Sequence, residues 1–314
     1  MATERTALEI LNTVEDELGL SRSTGLASTA ITTRQILAFM NATVEEMNKD
    51  GDWSGIEQEA VIEIGAPSTV SATLVDGSAS ITIADTTPFS AAPKAWTITG
   101  ESIQRGSRVL SVTSATVLLL DRTAEASIVE DVTFVRDTFA FPSDFGRWIP
   151  QTHWDATLMW ELVGPTSSQY DAYMRNGIVG PFPRRQYRRQ GLLPTAFRIF
   201  PPASAEASYP ATLTFRYISN EPIVASGGTT KRFFTLDADT TPLPDRVIIL
   251  GTKWRWKEQK GFDFAPQQLE YYNQLDGFIA SDNGPATVPL DGPTNYGFPD
   301  SFRYGVQDGN FPGG

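Results

Sequence analysis

Apolar residues recur at three- and four-residue steps near both ends of the chain, and this spacing predicts two helices at each end. In residues 5–18, Leu8, Leu11, Val14 and Leu18 share one stripe, Glu9, Glu15, Asp16 and Glu17 lie off it, and Gly19 ends the helix. After a Ser/Thr/Gly-rich loop, Thr32 or Thr33 caps a second helix that carries Ile36, Met40, Val44 and Met47 and stops at Lys49-Asp50-Gly51-Asp52. From Pro244 to Ile279 two more helices follow in tandem. Pro244 suits a first helical position, Val247, Leu250, Gly251 and Trp254 form a stripe, and Lys257, Lys260 and Gly261 close the end. The last helix opens near Pro266 with Leu269, Tyr272, Leu275 and Ile279 on one side, and the short turn Gly261–Ala265 makes the pair antiparallel. No one of these helices can bury its stripe alone. The expected fold class is therefore α+β, with a helical bundle built from the N- and C-terminal parts of the chain and the middle looping out of it.

The middle reads as strands. Glu59–Ile64 alternates, and from Gly65 to about Asp131 the composition turns to Ser, Thr, Ala, Val and Gly. Ala72–Val75, Asp76-Gly77 and Ser80–Ile83 predict a hairpin on a two-residue turn. Further strands are expected at 95–99, 108–112 and 115–120, so residues 65–131 form a small inserted all-β module, held between paired strands 60–64 and 132–136. A second sheet is expected from 196–200, 212–219 and 232–236, where Leu213, Phe215 and Tyr217 alternate with Thr212, Thr214 and Arg216. One short helix capped by Thr166 or Ser167 lies between the two β regions. The domain reading is a core of 1–64 and 132–282, the module at 65–131, and an extended C-terminal tail at 283–314.

Composition narrows the function. The 314 residues include seven Trp, nine Tyr and eighteen Phe, which excludes a disordered chain. No apolar run approaches the ~20 residues of a membrane span, and the N-terminus leads straight into an amphipathic helix, so neither a membrane nor a cleaved secretory signal is expected. With no cysteine there is no thiol chemistry, and one histidine, His153, argues against a His-based metal or triad site. A formal charge of −12 argues against a general nucleic-acid coat. Four arginines nevertheless cluster in a Pro- and Gly-rich segment, Arg184, Arg185, Arg188 and Arg189. They are read as solvated side chains paired with acidic neighbours, or as a surface for an anionic partner.

Candidate chemistry is sparse. Asp237 and Asp239 stand two residues apart just before a helix, a spacing that suits a cation site or an acid–base pair and equally a turn. His153 beside Trp154 reads as a polar contact rather than a base. The run Trp254-Arg-Trp-Lys257 could stack nucleic acid, but on a helix its two Trp face different ways, so one belongs in the core and one at an interface. Neither a cofactor nor a metal is expected, and the protein is read as not an enzyme. The tail holds Tyr296, Phe298, Phe302, Tyr304 and Phe311 among Gly and Pro, a composition suited to lying along a partner surface.

Several stretches, taken in order, resemble a known family. Phe141-Pro-Ser-Asp-Phe stands ahead of Thr152-His-Trp-Asp155, then come Gly164-Pro-Thr-Ser, Phe197-Arg-Ile and Leu213-Thr-Phe-Arg-Tyr-Ile. Leu243-Pro-Asp245 leads on to Lys253-Trp-Arg-Trp-Lys and Lys260-Gly-Phe-Asp. This order is similar to tailed-phage head-to-tail adaptors, the head-completion group related to tail tubular protein A and the tail accessory factors, over residues 5–64 and 133–280. The resemblance implies a structural virion protein in the neck, assembled in the bacterial host cytoplasm. It implies a twelve-fold ring of this chain, bound to the portal protein above and a nozzle or tail-tube protein below, with double-stranded DNA passing transiently through its channel. On that reading the five tail aromatics dock on the portal, and the four arginines line a subunit interface or the channel. A tail-fibre or capsid-decoration protein is the alternative, and a metal-dependent or carbohydrate-active enzyme using Asp237 and Asp239 is a third.

Overall fold

The computed structural model describes residues 5–157, 159–166, 185–190, 196–200 and 211–282. The order of elements begins with α1 (Ala7–Glu17), α2 (Ile31–Asp50) and β1 (Glu57–Ile64). Next come β2 (Ser68–Thr73), β3 (Ser80–Ile83), the single helical turn α3 (Thr87–Ser90), β4 (Trp96–Thr99), β5 (Val109–Val112), β6 (Val117–Leu120) and β7 (Val129–Arg136). After these the chain forms β8 (Thr138–Ala140), β9 (Phe145–Trp148), β10 (Trp154–Asp155), β11 (Trp160–Glu161), β12 (Gln186–Gln190), β13 (Ala196–Phe200) and β14 (Ala211–Ser219). Two short strands, β15 (Ile223–Val224) and β16 (Thr230–Lys231), precede α4 (Asp245–Lys260) and α5 (Ala265–Asp282).

The expected helical bundle is not what forms. The protein is β-rich, with several sheets, one of them nearly closed into a barrel, and its long helices make one layer against strands and loops. The reason lies in α4. Val247 through Thr252 are all buried, along with Trp254, so this stretch of the helix is covered around its whole circumference, while Arg246 and the last turn, Glu258–Lys260, stay exposed. Helices α1, α2 and α5 cover part of it, and Ile218, Ile223, Phe234 and Leu243, from β14 and the loops after it, join the same apolar cluster. Helix α5 is also turned relative to expectation. Tyr271 and Leu275 are its buried residues, while Leu269 and Tyr272, read as core, face out.

Helix starts show local chemistry. Thr6 caps α1 in a reciprocal box: its hydroxyl accepts from Glu9 N–H at 3.3 Å and the Glu9 carboxylate accepts from Thr6 N–H at 2.8 Å. Neither Thr32 nor Thr33 caps α2; Ala30 stands at that position without a side-chain bond, and Thr33 is buried inside the helix. Gly261 ends α4 in the left-handed region at φ 76°, which a glycine adopts without a steric penalty.

The barrel runs β4-β7-β2-β3-β6-β5, and its first and last strands nearly meet through a bridge of Thr97 with Arg108. Ile81, Val109, Leu118, Val132 and Phe134 fill it, and α3 drops Phe89 onto Phe134 with ring centroids 4.4 Å apart. Val132–Arg136 therefore belongs to the barrel and does not pair with residues 60–64. Strand β1 pairs with β14 instead, from Glu57 opposite Ile218 to Ile64 opposite Ala211. The predicted two-residue hairpin opens out as well. Pairing of β2 with β3 stops at Thr73, because Leu74 and Gly77 bond to Ile128 and Ala124 across the barrel end. The strand expected at 232–236 is replaced by β16 and a loop. The helix expected after Thr166 lies outside the described residues.

β7 leaves the barrel at Asp137 and becomes β8 of a three-stranded sheet, β12-β13-β8. A second aromatic core sits between that sheet and the five-stranded sheet around β14. Phe141, Trp148, Phe197 and Phe215 pack there largely edge to face, with centroid separations of 4.8–6.3 Å.

The close approach of α2 to α4 yields a first prediction. A Cβ on Gly251 would overlap the Thr43 methyl and stand 2.9 Å from both the Thr43 hydroxyl and the Tyr271 ring. Gly251→Ala should destabilise the fold by about 1–3 kcal/mol in urea denaturation, although alanine favours helix by about 1 kcal/mol. Thr43→Ser, which keeps the hydroxyl bonded to Phe39 carbonyl, should recover part of that loss. A Gly251→Ala chain as stable as the parent would refute this account of the packing.

Candidate assembly surfaces

The residues read as chemical candidates are mostly used inside the fold. Asp239 is fully buried, and its Oδ2 accepts from Thr235 N–H and Leu236 N–H at 2.8 Å and from Lys231 Nζ at 2.6 Å. Burial alone would raise this carboxyl's pKa; the bonds from Lys231, Leu236 and Thr235 outweigh it and hold the pKa below the usual range. Asp237 accepts from Leu26 N–H at 2.6 Å. The backbone carbonyls of Asp239 and Asp237 take the N–H groups of Ala7 and Leu8 at 2.7 and 3.2 Å. The pair thus fastens the loop before α4 to the start of α1 and to the turn ahead of α2. Among the described residues no group of three or more His, Asp or Glu is placed to hold a metal ion.

The arginine cluster is divided. Arg185 is buried in an ion pair with Asp155, which is equally buried. Arg188 is half-buried in β12, while Arg189 is exposed with its guanidinium 4.9 Å from the Trp148 ring centre. Arg184 lies outside the described residues, and so do Tyr296, Phe298, Phe302, Tyr304 and Phe311. The two tryptophans of α4 part as the helix geometry predicts. Trp254 is buried, and Trp256 is half-buried, stacked on the exposed Phe262 at 5.8 Å.

Two uncovered apolar surfaces were not apparent in the sequence. The outer face of the five-stranded sheet carries Val61, Thr214 and Trp154 side by side in one row of the ladder. Val61 is 60% exposed and Trp154 47%. Glu59 and Glu63 flank Val61 on β1, an edge strand, while Ala60, Ile62 and Ile64 point to the aromatic core. Alternation could have revealed Val61 as a residue on the wrong side of its own pattern. The second surface is the outer side of α5, where Leu269 is 64% exposed beside Tyr272. Exposed apolar side chains grouped in this way mark contact surfaces more often than scattered ones do.

His153 sits beneath the sheet, 5% exposed, against Trp148 and Tyr187, and its Nε2 meets no partner. Burial, with a smaller push from Arg189, lowers its pKa from 6.5 to about 4. It is a neutral core histidine at pH 7.

The sequence matches no protein-family model and no curated protein. No helix among the described residues is long and apolar enough to cross a membrane.

Two predictions come from these placements. Arg185→Ala removes the buried cation that pairs with Asp155, leaving that carboxylate its bond from Thr157 N–H at 3.0 Å, and should cost about 3–5 kcal/mol in denaturant unfolding, whereas Arg189→Ala should cost under about 1 kcal/mol. For His153, the unfolded chain takes up a proton below pH 6.5 that the folded chain refuses until about 4. Its contribution is therefore intact above pH 6.5 and declines as pH falls toward 4, by up to roughly 3 kcal/mol. His153→Gln should remove that part of the slope between pH 7.5 and 4.5. An unchanged slope would show that the histidine is already charged in the fold.

Proposed function

We propose that this chain is a structural virion subunit, an adaptor that forms a ring between portal and tail and leaves a channel for DNA. The observation that carries the proposal is the pair of unlike, uncovered apolar surfaces, the β1–β14–β10 sheet face and the outer side of α5. A ring closes head to tail, so every subunit must offer two different patches that fit each other; a two-fold dimer needs only one. The occupant of each patch is the next copy of the chain. Glu59 and Glu63 edge the sheet face, and Arg188 and Arg189 on β12, a strand outside both patches, are basic side chains that such an acidic edge would meet on a neighbour. The order of motifs that resembles phage adaptors supports the portal and tail as outer partners and twelve as the copy number. The segment after α5, with its five aromatics, supplies the portal contact, since large rings seated in pockets carry much of an interface's energy.

A second reading rests on the barrel, which leaves Val75, Ile128 and Val129 exposed near one end. A capsid-decoration or fibre protein would use such a tip, and labelling of particles would then place the chain on the capsid surface or a fibre rather than at the neck.

The adaptor proposal predicts separable defects. Truncation after Pro285 should leave a folded subunit that fails to join portal in pull-down. Trp154→Ala with Val61→Asp should leave a folded monomer that no longer forms rings in native mass spectrometry, while Arg188→Ala with Arg189→Ala should weaken ring formation most at low salt. A parent chain that stays monomeric with portal present would end the proposal.

A further inference from the structure

The molecule has an open cleft of about 690 Å³ between the C-terminal half of α2 and the Phe141–Arg147 stretch that contains most of β9. Its floor is aromatic: Phe141 and Phe145 stack with centroids 4.0 Å apart and planes 13° apart. Its rim is basic, with Lys49, Arg147 and Arg232 against one acid, Glu45. Glu45 answers two of these cations, Arg232 at 2.5 Å and Lys49 at 3.5 Å, and Asp52, outside the lining, pairs with Arg147 at 2.7 Å. The lining is thus net positive on a chain of formal charge −12.

We propose that this cleft is the seat of the chain's own C-terminal segment, Asn283–Gly314. The first argument is where the described chain stops. Asp282 accepts hydrogen bonds from Ser54 N–H at 2.6 Å and Ser54 Oγ at 2.8 Å. One turn earlier, Ile279 lies 3.0 Å from the point where a Cβ on Gly51 would stand. The carbonyl of that same Gly51 accepts from Arg147 at 2.6 Å, and Arg147 forms one wall of the cleft. Chain exit and cleft therefore meet at residues 51–54.

The second argument is reach. Thirteen residues lie between Asp282 and Tyr296, and fully extended this stretch spans on the order of 45 Å. The segment can enter the cleft without stretching. A short tether of this kind holds its end at roughly millimolar effective concentration, so modest contacts suffice to seat it.

The third argument is chemistry. The segment brings Tyr296, Phe298, Phe302, Tyr304 and Phe311 to an aromatic floor, where offset and edge-on ring pairs are favourable. It brings Asp291, Asp300 and Asp308 against a single Arg303, so its net charge is opposite to the rim's. The inference goes beyond the adaptor reading and does not rest on it.

The chain has no cysteine, so an introduced pair reports without background. Ser143→Cys, in the cleft lining, is combined with Ser301→Cys between the tail aromatics; Ser90→Cys on α3 with Ser301→Cys is the control. Under mild oxidation of the full-length chain, the 143/301 pair should close a disulfide at least about tenfold faster than the 90/301 pair, with the product at monomer mass. Adding Phe298→Ala, Phe302→Ala and Tyr304→Ala, which leaves every described residue unchanged, should bring the rate down to the control's. Equal rates for the two pairs would overturn the proposal. So would a covalent dimer as the main product, which would give the cleft to a second copy. Failure of the same chain to bind portal would count against the adaptor reading alone.

Discussion

A stretch of helix α4, Val247–Thr252, buried around its whole circumference is the constraint on which the rest of the structure depends. Six consecutive buried residues in α4 leave it no stable place at a surface. Burying each large apolar side chain contributes about 1.5–3 kcal/mol relative to exposure, and this gain is collected only if partners arrive from every direction. They come from both ends of the chain and from the middle: α1 and α2, α5, and Ile218 to Leu243 of the β14–α4 region. Gly251 sets how near α2 can approach, and Arg255 locks the crossing by pairing with Glu46 and donating to Thr43 Oγ1 at 2.9 Å. Elements distant in sequence are thus brought to one place by a single helix.

The barrel is joined to this body by a polar knot. Asp137 accepts from Thr97 Oγ1 at 2.7 Å and Arg108 at 2.9 Å on the barrel side, and from Thr138 Oγ1 of β8 at 2.8 Å and Arg198 of β13 at 2.5 Å on the other. The carboxylate is buried, and the two guanidiniums beside it are largely so. A buried charge is tolerable only when its hydrogen bonds are filled, and filled in this way it allows one relative orientation of the two sheets. The junction also makes the barrel a rigid extension of the body.

What could be read in the sequence and what could not divide along a physical line. The stripes Leu8/Leu11/Val14/Leu18 and Ile36/Met40/Val44/Met47 were legible because helical period is a local property. All but the half-buried Leu8 and Leu18 lie buried, and Glu15, read as off the stripe, is buried too because its carboxylate accepts from Ser23 N–H at 2.6 Å. The Thr6-to-Glu9 capping box was equally local and was passed over. The buried side of α5 was not legible, because Tyr271 and Tyr272 are alike in sequence and only the space left by Gly251 selects Tyr271. The β1–β14 pairing joins segments some 150 residues apart, and no periodicity records a partner at that range. Arg185 looked like part of a surface cluster because its partner, Asp155, stands thirty residues away. Its neighbour Arg189 has the same composition around it and a different environment. The cleft between α2 and β9 exists only once three distant segments have been placed together.

The electrostatic consequence bears on assembly. Arg185, Arg198, Arg108 and Arg255 are drawn into internal ion pairs, whereas many of the acids, among them Glu59 and Glu63, stay on the outside. Copies of such a chain repel one another at long range, the more so at low ionic strength. On the adaptor proposal, contact between copies comes from surfaces whose attraction does not depend on net charge, and Val61, Trp154 and Leu269 are exposed apolar side chains suited to that. The basic side chains left near the surface, Arg188 and Arg189 among them, act over a few ångströms. On the same proposal their part is to set which edge meets which, because a misplaced pair of like charges costs more than a correctly placed ion pair contributes. Apolar patches supply the attraction and sparse cations the register, and an acidic subunit can by this division remain dispersed until the correct faces meet.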